Sequence, residues 1–458
     1  MSDTMIVSVN TATGQPIRSY PEMPAREVAE LLSRADQAQA AWRRAPWAAR
    51  SAAMRAAGGL LRARAEACAR LMAQEMGKPV AQGRSEVEKC AWVCDYYAEQ
   101  AERFLSPEPV PTDAAKSVVM FHPLGIVLAV MPWNFPFWQV FRAAVPALMA
   151  GNAVALKHAS NVPGCALAIE ELFRDAGIPA DLFRTILIGS GRVAEVIGHP
   201  LVKAVTLTGS TPAGQAVAAR AGALLKKTVL ELGGSDPYIL LEDAELEPAV
   251  EACVSARLIN SGQSCVAAKR FIVVEPIRKR FEERFVERMR AKTMGDPLDE
   301  GVAVGPLARR DLRDALHVQV QESLARGARL ALGGVIPDSP GAYYPPTVLT
   351  QVAKGMPAYD EETFGPVAAL IGVADEAEAI RVANDSIYGL GAAVFTRDRR
   401  RGERIAAEAL EAGCCFVNAF VRSDPRLPFG GIKQSGYGRE LSSFGIREFV
   451  NVKTVVVA

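Results

Sequence analysis

This 458-residue chain has little that would mark it for a metal, a membrane or a nucleic acid. Its 4 histidines (His122, His158, His199, His317) are far apart, and its 8 cysteines show neither disulfide nor zinc-ligand spacing. No metal site is expected, and a reducing, cytoplasmic compartment is the expected setting. Cys90 and Cys94 can share a helix face without forming a ligand motif, and the adjacent Cys414 and Cys415 read as packing. Charge of one sign is not in excess: 52 Lys and Arg face 51 Asp and Glu, which gives no electrostatic reason to expect nucleic acid or an anionic membrane as a partner. The first residues show no basic segment leading into an apolar one, as a secretory leader would. The most apolar stretch, residues 125–156, is broken by Asn134, Gln139, Arg142 and three prolines, so it reads as a buried segment with polar functions and not a membrane span. Internal repeats, low-complexity tracts and linkers are missing as well.

What remains is a globular pattern, 50% hydrophobic and 22% charged, long enough for two or three domains. Residues 25–105 are rich in Ala, Arg, Glu and Leu at helical spacing. From residue 124 onward, short apolar runs alternate with helical ones: GIVLAVMP, NAVALKH, RTILIG, AVTLTG and YILL, then RFIVVE, AALIGV, AAVFT and CFVN. Strands separated by helices build βαβ units and parallel sheets. The expected fold is therefore α/β, with two parallel-sheet domains in succession.

Two glycine-bearing loops compete for a phosphate. GSGRVA at 189–194 fits a dinucleotide fingerprint, but no acidic residue ends a strand about twenty residues on. TLTGSTPAGQ runs a strand into Gly209 and Ser210 and then a helix, whose free N–H groups and dipole favour an anion; an ordinary N-cap is the plainer alternative. Glu231, after an apolar strand in LELGG, is a general base if its carboxylate is held in apolar surroundings, or a solvated turn residue. Asn134, among prolines and aromatics in PWNFP, is an oxyanion donor or a structural turn residue. Cys265 in GQSCVAA is a nucleophile or a small buried hydrophobe.

Taken together and in this order, PWNFP, LKHAS, TGSTPAG, LELGG, GQSC, EETFGPV and PFGGIKQSGYGRE closely resemble the aldehyde dehydrogenase superfamily over essentially the whole chain, nearest to its NAD(P)-dependent succinate-semialdehyde branch. The resemblance implies a Rossmann-like cofactor domain at 1–103 and 124–230, a catalytic domain at 231–434, and a small β oligomerisation element at 104–123 and 435–458. It makes Cys265 the nucleophile, Glu231 the base and Asn134 the oxyanion donor. It assigns the cofactor to Trp133, Lys157, Ser160, Gly209, Ser210, Glu362 and Phe364, and it implies a homodimer or homotetramer.

Departures from the family refine these expectations. Ser160 stands where many NAD-preferring members carry a glutamate that repels a 2′-phosphate, so NADP is expected to be preferred, with NAD accepted. Arg142, eight residues after Asn134, is expected to grip a substrate carboxylate through two parallel hydrogen bonds, pairing with a protein carboxylate being the plainer alternative. Ile259 replaces a second arginine six residues before the nucleophile, which leaves Gln139, Arg422 or Ser423 to share that task. The expected reaction is oxidation of succinate semialdehyde to succinate. A nitrilase-like Cys–Glu–Lys hydrolase using Cys265, Glu231 and Lys157 is the alternative from another class, and it would turn over without nicotinamide.

Overall fold

In the computed structural model, which describes residues 4–458, residues 5–104 form a small hairpin, Met5–Val9 with Pro16–Pro21, followed by four helices. Ala25–Trp42 buries Val28, Leu31, Leu32, Ala35, Gln39 and Trp42, the three-and-four spacing that puts one stripe against a core. Helices Trp47–Ala63, Ala65–Met76 and Val80–Phe104 complete the layer.

The apolar runs form two sheets. The first has the order Gly436–Tyr437, Lys227–Glu231, Val202–Thr208, Ile126–Met131, Ala153–His158 and Phe183–Thr185. All its pairings are parallel except that of the short Gly436–Tyr437 edge. Strands covered on both faces read as unbroken hydrophobic runs, and all six residues of Ala153–His158 are buried. The second sheet has the order Arg329–Leu332, Thr347–Thr350, Val367–Val373, Ala268–Val274, Asp236–Leu240, Gly391–Phe395 and Cys414–Val417, with only its first strand antiparallel. Each sheet has its own core, and Val266, next to Cys265, packs against both.

A third sheet pairs Val450–Val457 with Lys116–Pro123, which also takes Glu108–Pro109. The segment 435–458 is thus divided. Its first residues extend the first sheet, and only its end joins residues 104–123.

Candidate active site

In the first sheet the chain proceeds outward from Ile126–Met131 to Ala153–His158 and Phe183–Thr185 on one side, and to Val202–Thr208 and Lys227–Glu231 on the other. The order therefore reverses between Ile126–Met131 and Val202–Thr208, and ligands of open α/β sheets bind outside the carboxyl ends of strands at such a switch point. Trp133 and Asn134 follow the first of these strands, and Gly209 and Ser210 follow the second. Lys157 is the penultimate residue of the neighbouring strand, Ser160 lies just beyond it, and Glu231 closes the strand next to Val202–Thr208. The backbone also ties these ends together, since Gly209 N–H donates to the Glu231 carbonyl at 3.0 Å. The GSGRVA segment follows the edge strand Phe183–Thr185 and forms a three-residue 3-10 turn and a six-residue helix, away from the switch point.

His158, whose ring burial holds down to about 4, stays neutral; Nδ1 accepts from Ala159 N–H and Nε2 then donates to the Pro136 carbonyl, which pins the Asn134 loop to the adjacent strand.

Cys265 comes from the other half of the molecule, on the turn that leads into Ala268–Val274. Before it, Asn260 and Ser261 both take left-handed backbone conformations with φ 53° and 55°, strained for residues with side chains. Cross-links hold the strain: Asn260 Nδ2 donates to the Asn134 and Gln263 carbonyls at 2.6 and 3.0 Å, and Asn134 Nδ2 donates to the Gln263 carbonyl at 3.2 Å. Gly262 is required there, because a Cβ would lie 2.2 Å from the Gly365 oxygen. The oxyanion candidate and the nucleophile are thereby joined in one hydrogen-bonded unit. The Cys265 backbone N–H has no partner among the described residues and stands free as a second donor.

Cys265 opens into a cavity of about 440 Å³ whose wall also carries Gln139, Arg142, Ile259, Arg422 and Ser423. Burial pushes its thiol up to about 12 against the opposing fields of Arg142 and Lys269, so the resting residue is a thiol that must lose its proton to act. Lys269, which the sequence reading did not single out, donates to the Cys265 carbonyl at 2.6 Å and to the Ser264 carbonyl at 2.9 Å, and lies 3.4 Å from Glu362 Oε1. Glu362 also accepts from Gly234 N–H at 3.0 Å, and Phe364 meets Trp133 edge-on at 5.7 Å. The LELGG loop has no side chains at these contacts for a reason: a Cβ on Gly234 would lie 2.7 Å from the Cys265 oxygen.

Glu231 is buried, and its carboxylate is held far above the ordinary range, first by burial and then by the nearby Glu440 carboxylate, while Arg142 and Arg439 oppose the shift. It does not line the cavity. Its Oε1 lies where a Cβ on Gly430 would come within 2.7 Å, so it must turn from that recess to reach a group on Cys265. The expectation for Arg142 is corrected here. The guanidinium does reach the cavity wall, but it forms a buried ion pair with Glu440, donates to Thr208 Oγ1 at 3.3 Å and lies over the Phe429 ring. A guanidinium in apolar surroundings must be compensated, and the fold supplies Glu440 for that purpose. Arg142 is therefore not a free two-pronged grip. Its Nη1, with no partner among the described residues, is what it can still offer a ligand.

A dinucleotide fits the residues at the switch point. Lys157 is buried with no carboxylate within salt-bridge distance among the described residues, and burial lowers its pKa, which an anion or a ribose hydroxyl would relieve. Ser210 caps the helix Thr211–Gly222 with no side-chain bond to it, leaving the hydroxyl and the helix N-terminus open to a phosphate.

Residues 1–455 match the aldehyde dehydrogenase family. The chain is 49% identical over 452 residues to Escherichia coli Sad, named a succinate semialdehyde dehydrogenase using NAD(P)+, covering 99% of this chain and 98% of that one. It is 47% identical over 458 residues to the NADP(+) succinate-semialdehyde dehydrogenase 1 of Mycobacterium tuberculosis, covering 99% and 100%. The solved succinic semialdehyde dehydrogenase of Streptococcus pyogenes, in complex with NADP+, superposes with a TM-score of 0.96 at 37% identity, covering 99% of each chain. With these matches spanning its whole length, the chain belongs to the aldehyde dehydrogenase family.

Proposed function

We propose that this protein oxidises a short aldehyde with a carboxylate at its far end, succinate semialdehyde first, to the dicarboxylic acid, using NADP in preference to NAD. The observation that carries the reading is the single cavity in which the Cys265 thiol shares its walls with cationic and amide side chains. The names of the relatives and the NADP+ in the Streptococcus pyogenes structure support it.

Lys157 holds the adenosine ribose and Ser210, with the Gly209 turn, the pyrophosphate. Ser160, exposed just beyond Lys157, offers a hydroxyl to a 2′-phosphate where a carboxylate would repel it. Trp133, Phe364 and Glu362 shape the nicotinamide end. The bound nicotinamide supplies the two-electron acceptor. Cys265 loses its proton to solvent and its sulfur bonds to the aldehyde carbon, while Asn134 Nδ2 and the Cys265 N–H hold the oxygen that becomes negative. After oxidation Cys265 carries the acyl group as a thioester. Glu231, turned from the Gly430 recess, takes a proton from water as that water adds to the thioester and returns it to the departing sulfur, so the acid leaves with the thiol and the base restored. A carboxylate with a raised pKa suits this step near neutral pH.

A Cys–Glu–Lys hydrolase has less support, because Lys157 does not share the cavity with Cys265. Residues 1–103 and 124–230 act as the cofactor unit, 231–434 as the catalytic unit, and 104–123 with 435–458 as the bridge to a second copy in a cytoplasmic dimer or tetramer.

The test is a panel of charged and neutral aldehydes with each cofactor, following the absorbance of reduced nicotinamide. Succinate semialdehyde with NADP should give the highest kcat/KM. Cys265→Ala should abolish reduction, while Glu231→Gln should reduce up to one equivalent of cofactor in a burst and then stall. Turnover without nicotinamide, or undiminished steady-state turnover by Glu231→Gln, would remove the assigned mechanism.

A further inference from the structure

Four cations line the catalytic cavity, and two of them are paired with carboxylates. Arg142 faces Glu440, Lys292 lies 3.5 Å from Glu251, and Arg422 is exposed to solvent. The fourth, Lys89, projects from the long helix Val80–Phe104 and has no carboxylate within salt-bridge distance among the described residues. Its Nζ donates to Ser423 Oγ at 2.8 Å and sits 4.4 Å from the centre of the Trp138 ring. An ammonium has three N–H groups, so two remain unspent. Gln139, also on the wall and buried, carries an amide N–H2 that can donate to an anion. The one carboxylate on the wall, Glu86, is already committed to Lys78 and to two backbone N–H groups.

We infer that Lys89, held in place by Ser423 and Trp138, is the cationic anchor for the substrate carboxylate, filling the role left open where Ile259 stands. This rests on the reading of the substrate as a carboxylate-bearing aldehyde. The surroundings are suited to an anion. Burial, and after it the field of Arg142, pushes the ammonium down to about 8, and a carboxylate placed against it returns the lost stabilisation. A lysine on a flexible stem is a point charge and tolerates ω-carboxylates of slightly different length, which a fixed two-pronged arginine would not.

The test compares wild type, Lys89→Met and Lys89→Arg on succinate semialdehyde and butyraldehyde at saturating NADP. Losing a charged hydrogen-bond partner should raise the KM for succinate semialdehyde about 10- to 100-fold in Lys89→Met, lower the succinate semialdehyde to butyraldehyde ratio of kcat/KM by a similar factor, and be partly restored in Lys89→Arg. An unchanged ratio in Lys89→Met, with wild type preferring succinate semialdehyde, overturns the anchor and leaves the proposed substrate standing. An equal loss on both aldehydes likewise overturns it, showing a structural role. A wild-type enzyme that prefers butyraldehyde overturns both.

Discussion

Without the Arg142 guanidinium, two buried carboxylates, Glu231 and Glu440, would lose a cation that lowers the pKa of each. Glu231 would then hold its proton to higher pH. Arg142→Ala should therefore move the ascending limb of the pH profile of kcat upward for succinate semialdehyde and butyraldehyde alike, and lower kcat at neutral pH by roughly tenfold or more, as expected when a buried charge loses its partner. Arg142→Lys should restore part of the profile. A loss confined to succinate semialdehyde would instead assign Arg142 to the substrate alone. The position of Arg142 on the cavity wall, and pairing with a protein carboxylate as one of its two readings, were legible from the sequence, but the partner was not, since Glu440 lies far along the chain. Glu440 does stand in the PFGGIKQSGYGRE motif, so a signal existed; nothing in the motif gave it a role. Lys89 carried no signal, because in an Ala-, Arg- and Glu-rich helix a lysine facing a cavity has the same spacing as one facing water.

The helix Trp138–Met149, which carries Gln139 and Arg142, starts without a side-chain cap of its own. The cap comes from another element. Glu86 Oε1 accepts from the Phe137 and Trp138 N–H groups at 2.9 Å each, and its other oxygen pairs with the buried Lys78, whose ammonium lies 3.8 Å from the Phe135 ring centre. Glu86→Ala strands a buried cation and two helix N–H groups, a cost of about 3 to 5 kcal/mol. The thermal midpoint should fall by roughly 3 to 5 °C, and Gln139 and Arg142 should lose their fixed placement. Lys78→Met, which removes the cation and leaves the cap, should cost less in a parallel melt. Helices and central strands were legible because their periodicity is local: the run AVALKH is the buried strand Ala153–His158. Strands Arg329–Leu332 and Thr347–Thr350, four residues each, were not among the runs read as strands.

At the scale of the whole molecule, Trp133, Lys157, Ser160, Gly209 and Ser210 lie at the strand ends of one sheet, while Glu362, Phe364 and the thiol lie ahead of strands of the other, so the chemistry depends on how the two cores meet at the Asn134–Asn260 cross-links. The alternation of strands and helices announced two sheets, whereas the meeting itself rests on contacts between distant residues that no local pattern encodes. The third sheet makes a separate demand. Val450–Val457 pairs along eight residues with Lys116–Pro123, yet Val452, Val456 and Val457 remain 60%, 57% and 52% exposed. Exposed valines along a strand invite a covering surface, and a second copy of the chain is the partner proposed above. Ending the chain after Phe449 would remove those valines and uncover the hydrogen-bonding edge of Lys116–Pro123. Both sheets and both cores lie outside the deleted segment apart from Val450, so cofactor binding should survive, read as NADP-induced quenching of tryptophan fluorescence. Light scattering after gel filtration should show the full-length chain as a dimer or tetramer and the shortened chain as a monomer. A shortened chain that keeps the full-length mass would place the oligomer contact elsewhere on the surface.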